Sequence, residues 1–279
     1  MKEQPHNRKY AFLSGLPRSG STLLSSIFNQ NPNIHSSANS PMCSMMSNLE
    51  TNLIKCEQFV AYPKPQIIQP MIMGILDSFY SDRTESVVID KSREWSTPQN
   101  FELLKRTLPY EPKIIICVRP ILEILASFIN LVNKNTGMVS FIDKEIEAHQ
   151  QVHFYNHPHE TRCDSLMRPR GPIDNALYGV AFALQPENKH NFHFVEYSDI
   201  VTNPEQTISE IYAFLGIENF KHDYSNIENN FHENDEIYGL RGMHDIRKTL
   251  SPTAISIQET LPPRVITKYS NMEFWRQPK

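Results

Sequence analysis

The chain has 279 residues, 39% of them hydrophobic, with a net charge of −4 and 4 cysteines. That length suffices for a sizeable buried core, and the charge excludes a global basic field drawing in nucleic acid, so any anion site must be a local constellation. The cysteines (Cys43, Cys56, Cys117, Cys163) are scattered without a CxxC pair, the N-terminus carries no signal-type apolar region, and no apolar run reaches membrane-spanning length; the expectation is a reduced, cytoplasmic protein with no membrane and no nucleic-acid partner.

The first predicted element is a buried strand, the apolar run Tyr10–Leu13. A small-residue loop and an apolar-periodic helix follow it. Gly15 and Gly20 have the spacing of a phosphate-cradling P-loop, with Ser21 and Thr22 behind them. Ser21 stands where a nucleoside triphosphatase has the Lys that reaches the β- and γ-phosphates. A different cation, Arg18, lies inside the loop. Backbone N–H groups and the positive end of the helix still suit an anion. Without the Lys, the loop favours a ligand with fewer phosphates and no metal.

A strand near 33–36 follows Pro32, and an insert at 39–80 is rich in Met, Asn and Gln. The strand Val87–Ile89 runs into Asp90, Lys91, Ser92, Arg93, Glu94 and Trp95. Thr97 and Pro98 read as N-cap and first residue of a helix to about Leu108. The strand Ile114–Val118 delivers Arg119, and Pro120 opens a helix Ile121–Val132 that carries Ser127. A second insert, 137–172, holds 4 of the 11 His. The strand Phe192–Val195 precedes a helix from Pro204 to Leu215, closed by Gly216, and residues 220–279 read as a polar wrap. This alternation predicts an α/β fold: three layers, α/β/α, around a central, mostly parallel sheet, as a single domain over 1–279. Ligands of such sheets bind beyond the carboxyl ends of the strands. Ser14–Thr22, Asp90–Glu94, Arg119 and Tyr197 converge there. Taken alone, Arg119 is a salt bridge at a strand end and Ser127 a helix serine bonding back to the main chain. Beside a P-loop that lacks its Lys, the two point to a second phosphate site, a guanidinium fork plus a hydroxyl.

The run Gly-Leu-Pro-Arg-Ser-Gly-Ser-Thr-Leu-Leu at 15–24 resembles the 5′-phosphosulfate loop of sulfotransferases that use 3′-phosphoadenosine 5′-phosphosulfate (PAPS). Cys-Val-Arg-Pro at 117–120 with Ser127 resembles their 3′-phosphate motif, and 194–216 resembles the strand and helix after their acceptor insert. The resemblance is strongest toward the branch holding tyrosylprotein sulfotransferases and bacterial relatives. It implies a P-loop-like sulfotransferase fold with PAPS as donor, adenosine 3′,5′-bisphosphate (PAP) as product and no metal. Pro17, Arg18, Ser19, Gly20, Ser21 and Thr22 would hold the 5′-phosphosulfate, Arg119 and Ser127 the 3′-phosphate, and Tyr197 would sit near the nucleotide. Lys91 matches the family's catalytic Lys; a solvated charge cluster capping a helix is its plainer reading. The acceptor would be a hydroxyl or amine on a small molecule, glycan or peptide.

The sequence departs from the family in two places. Relatives acting on tyrosine carry a Glu base beyond the loop Arg, where this chain reads His-Ser-Ser-Ala-Asn-Ser at 35–40. That leaves Glu94 and His35 as candidate bases. The Gly-rich third motif has only 238–248 in its place. Its Arg247 and Lys248 read either as part of a loop over the nucleotide or as an exposed basic loop. Trp95 reads as core or as a wall of the acceptor pocket. His149, His153 and His157 recur at helical i,i+4 spacing, followed by His159, but lack the Glu of a zinc-protease pattern, which favours a place lining or rimming the acceptor pocket over a metal site. Two alternatives stay open: a P-loop small-molecule kinase, which would need magnesium, and a non-catalytic nucleotide-binding protein of sulfotransferase type.

Overall fold

Strands and helices alternate along the chain in a computed structural model that describes residues 8–150, 158–251 and 255–276. The first half runs β1 (Lys9–Gly15), α1 (Ser21–Phe28), β2 (Ile34–Asn39), α2 (Met42–Lys55), α3 (Glu57–Ala61), α4 (Ile68–Phe79), β3 (Val87–Lys91), α5 (Pro98–Thr107) and β4 (Ile114–Val118). The second half runs α6 (Ile121–Lys134), α7 (Phe141–Gln150), α8 (His159–Met167), α9 (Pro172–Ala183), β5 (Phe192–Glu196), α10 (Tyr197–Thr202), α11 (Pro204–Leu215), α12 (Ile257–Thr260) and α13 (Pro263–Tyr269).

The strands form one sheet in the order β2-β3-β1-β4-β5, and every neighbouring pair is parallel. Parallel strands need both faces covered, and the sequence supplies apolar residues to both. Tyr10, Phe12, Ile114, Ile116 and Val118 point into the larger core, while Ala11, Leu13, Ile115 and Cys117 point into the smaller one. The larger core packs under residues from α2, α4, α5, α6 and α9, and the smaller under α1 and α11. Each such Leu, Ile or Phe contributes about 1.5–3 kcal/mol by leaving water. The α/β class and the mostly parallel sheet are as the alternation predicts.

The strands outrun the apolar runs that betray them. Ladder pairing extends β1 to Lys9, opposite Val87, and to Gly15, opposite Cys117. It carries β3 to Lys91, opposite Leu13. The insert at 39–80 is largely helical (α2, α3, α4), as are parts of 137–172 (α7, α8). Helices α12 and α13 in the tail escape a periodicity reading because they are only 4 and 7 residues long. Gly216 closes α11 in the left-handed conformation, φ 64°. Among the described residues no helix is long and apolar enough to cross a membrane.

The order places the functional crevice. From β1 the chain turns toward the β2 edge, and from β4 toward the β5 edge. The connections therefore diverge between β1 and β4, and a crevice opens at their carboxyl ends.

Candidate functional site

The loop between β1 and α1 is built on left-handed backbone. Gly15 has φ +116°, and a Cβ there would lie 2.1 Å from the Cys117 carbonyl oxygen, so only glycine lets the loop leave the sheet beside β4. Arg18 (φ 58°) and Gly20 (φ 89°) are also left-handed. Gly20 caps α1 without a side-chain hydrogen bond, which leaves first-turn N–H groups without a side-chain cap. Leu13 to Leu16, Pro17, Arg18, Gly20, Ser21 and Thr22 line a cleft of about 680 Å³. Ser19 turns away from it: its hydroxyl donates to the Leu16 carbonyl at 2.5 Å, and the residue is fully buried.

Arg119, at the tip of β4, reaches the same cleft. Its Nε donates to Glu123 at 2.9 Å, its Nη1 donates to the Arg18 carbonyl at 3.1 Å, and the guanidinium stacks 4.3 Å from the Tyr197 ring centroid. Its Nη2 is buried with no hydrogen-bond partner among the described residues. Gly20 makes room for Tyr197, since a Cβ there would meet the ring at 2.7 Å. Arg18 donates from Nε to Ser127 at 3.1 Å and from Nη1 to the Met243 carbonyl. Burial, and then the charge of Arg119, lower the Arg18 pKa to about 10. Thus the structure brings Arg18, Arg119, Ser127, Tyr197, Ser21 and Thr22 into one cleft.

Lys91 closes the other end. It is 3% exposed, and its Nζ donates to the Thr22 hydroxyl at 3.3 Å. Burial lowers its pKa to about 8, against the pull of Glu233 and with the push of Arg93. Lys91 and Arg93 also line a neighbouring pocket of about 390 Å³, and Glu94 belongs to that pocket. His35 lies elsewhere, in a cavity of about 520 Å³ against the edge of Tyr80, where burial and then Arg83 lower its pKa. Asn39 borders all three spaces. Trp95 is core: it is fully buried, it packs 4.8 Å from Phe12, and its Nε1 donates to Asp90 at 2.6 Å.

The 241–247 segment forms the wall facing Arg18. Arg247 lines the cleft and donates to Ser251 at 3.0 Å, whereas Lys248 is exposed and outside the lining. His149 bonds the Glu145 carbonyl at 2.8 Å and His159 bonds Asn133 at 2.9 Å; neither lines the cleft or the neighbouring pocket. His153 and His157 lie outside the described residues. Sequence reasoning passed over Asn39, Glu233, Asp235 and His244. His244 sits inside the 238–248 segment, and its signal was the pair of carboxylates just upstream at 233 and 235.

The sulfotransferase family model matches residues 11–222. No curated protein sequence matches the chain. Among solved structures, the mouse sulfotransferase SULT7A1 complexed with PAP superposes with a TM-score of 0.50 at 13% identity, covering 98% of this chain and 88% of that one. The sulfotransferase domain of the Synechococcus PCC 7002 olefin synthase gives 0.48 at 16% identity over 96% and 98%. A sulfotransferase from Alicyclobacillus acidocaldarius gives 0.48 at 17% over 84% and 89%. At these identities the mouse structure speaks to fold alone. The family match spans most of the chain, from β1 through the loop, Lys91, Arg119 and Ser127 to the end of α11, and on it this chain belongs to the sulfotransferase family.

Proposed function

We propose that this protein transfers a sulfuryl group from PAPS to a hydroxyl or amine acceptor. The observation that carries the reading is Arg119 Nη2, a guanidinium nitrogen buried at the cleft with no hydrogen-bond partner among the described residues. Leaving a charged donor unpaired in the interior is costly, and a phosphate oxygen would satisfy it. The donor fits the residues present in two further respects. The Gly15–Thr22 loop offers backbone N–H groups and two hydroxyls for a 5′-phosphosulfate, and the Tyr197 ring lies under the Arg119 guanidinium, 4.3 Å from its centroid, at the cleft wall.

When bound, the donor supplies a sulfuryl group on a phosphate–sulfate anhydride. The side chains divide the remaining tasks. Arg119 and Ser127 hold the 3′-phosphate, with Arg18 between them and the loop. Ser21, Thr22 and the first turn of α1 fix the 5′ end. Lys91, held at the Thr22 hydroxyl, places its ammonium where negative charge develops on the departing oxygen. Arg247 contributes positive charge at the cleft rim. No triphosphate-binding Lys stands at Ser21, which favours transfer without magnesium.

A thermal shift with PAP against ATP tests this. A ligand at 100 times its dissociation constant stabilises a fold by about 2.7 kcal/mol. PAP is expected to shift the melting temperature more than ATP at equal concentration, without magnesium, and Arg119→Ala to remove most of the difference. Equal shifts by the two nucleotides would count against the reading.

A further inference from the structure

A hydroxyl acceptor must lose a proton as its bond to sulfur forms. Among the described residues lining the cleft, the imidazole is that of His244. Its Nδ1 lies 2.5 Å from Asp235 Oδ1 and 2.7 Å from Glu233 Oε2. Two carboxylates at one ring nitrogen place a hydrogen on Nδ1, which donates to Asp235, and leave Nε2 as the nitrogen turned toward Asn39. Asp235 also accepts the His244 backbone N–H at 2.9 Å, which fixes ring and main chain together.

The direction of Nε2 is set by Asn39. Its amide nitrogen lies 3.0 Å from Nε2, and its backbone N–H donates to Glu233 at 2.8 Å. Asn39 is the register partner of Lys91 across β2 and β3. Nε2 therefore faces the Lys91 end of the cleft. Burial acts to raise the Glu233 pKa, but the His244 ring, the Lys91 charge and the Asn39 N–H outweigh it and hold that carboxyl down at about 2. The two carboxylates thus stand at the imidazole, with Lys91 and Arg93 facing Glu233 and Arg18 facing Asp235.

The geometry points to His244 as the base of the transfer, with Asp235 and Glu233 as its positioning residues; this rests on the sulfuryl-transfer reading above. The acceptor proton passes to Nε2 while the acceptor oxygen's electron pair forms the new O–S bond. The S–O bond to the donor phosphate breaks, and its pair stays on the phosphate oxygen beside Lys91. Asn39 gives up its contact with Nε2 to the incoming acceptor. Glu94, by contrast, is exposed in the neighbouring pocket, and His35 faces a separate cavity.

The test uses the full chain, PAPS and two probe acceptors, phenol and 4-nitrophenol, at about pH 8, where the second is largely ionised and the first, like a tyrosine, is not. His244→Gln is expected to lower turnover of phenol by about 10²–10³-fold and of 4-nitrophenol by less than about tenfold, because the ionised acceptor has no proton to give up. Asp235→Asn should show a smaller loss with the same bias. It carries the test if His244→Gln does not fold, as judged by the PAP thermal shift. Equal losses on both phenols with that shift intact would overturn the assignment, as would full phenol turnover by His244→Gln. Activity abolished by EDTA and restored by zinc would make His244 a metal ligand instead. Wild-type protein that transfers sulfate to neither phenol nor water, yet binds PAP, would remove the transfer reading itself.

Discussion

The two walls of the cleft are built on different principles. One wall is made of strand tips. Gly15, Lys91 and Arg119 stand at the ends of β1, β3 and β4, and their places are set by the sheet register. The other wall, 241–247 with the 231–240 segment leading into it, has little regular structure beyond a short 3₁₀ turn at Asp235–Tyr238. It is held by side chains: Asn39 on Glu233 and His244, Arg18 on the Met243 carbonyl, and Asn135 on the Arg241 N–H at 2.9 Å. The lesson is a division of labour. On the proposed reading, a rigid framework would carry the groups for the nucleotide, and a loop region would carry groups free to suit a particular acceptor.

The sharpest way to break that comparison is Lys91→Met. If the strand-tip wall carries the chemistry, turnover should fall by about 10²–10³-fold, the loss typical of one preorganised electrostatic group. PAP binding should survive, because Arg119 and the loop remain. The variant should also be more stable near neutral pH. Lys91 has its pKa lowered to about 8 in the fold, from 10.5. Between those values the unfolded chain binds more protons than the native one, so wild-type stability rises with pH across the window. Below about pH 8 the full cost of burying the charge is present. Lys91→Met escapes it, on the order of 1–3 kcal/mol at pH 7, and the advantage shrinks toward pH 10. Thermal melts of both proteins from pH 7 to about 10 check this. A constant difference would mean that Lys91 is charged throughout.

Gly20→Ala probes the framework wall itself. The new Cβ would lie 2.7 Å from the Tyr197 ring, at a φ of +89° that side chains rarely adopt. The expected loss is about 1–3 kcal/mol of stability. PAP affinity should fall with it, since Tyr197 is the surface on which Arg119 rests. Unchanged PAP binding in a folded variant would show that the ring is dispensable to the site.

What the sequence made legible follows the same division. The strand tips could be read because short-range patterns fix them: an apolar run, then Gly15 and Gly20 at P-loop spacing, or an apolar run, then Arg119 and Pro120. Parallel pairing did the rest, since tips that share one edge of a sheet must converge. Ser19 shows the limit even there: it lies within the motif, yet its hydroxyl is turned inward onto Leu16. The loop wall was not legible. His244 meets Asn39 across 205 residues of chain, and neither sits in a periodic segment that would announce the contact. His35 was placed at the correct strand, but its side chain faces a cavity away from Lys91. Alternation along β2 decides that facing, and a strand end placed only approximately cannot.

Ser127→Ala is the smallest and most discriminating change. The hydroxyl sits on α6, 8% exposed, and accepts from Arg18 Nε at 3.1 Å. Arg18 keeps its bond to the Met243 carbonyl when the hydroxyl is removed, so the loop should hold its shape. The expected effect on PAP affinity is about 0.5–1.5 kcal/mol, one hydrogen bond, with ATP affinity barely altered. Combined with Arg119→Ala, the loss should be less than the two single losses added, because both side chains would serve one phosphate. Titration calorimetry of PAP on the single and double variants measures that coupling. Strict additivity, or an equal loss for ATP, would place Ser127 in the service of Arg18 and the framework wall rather than of a 3′-phosphate, and Arg119 alone would then define the second anion pocket.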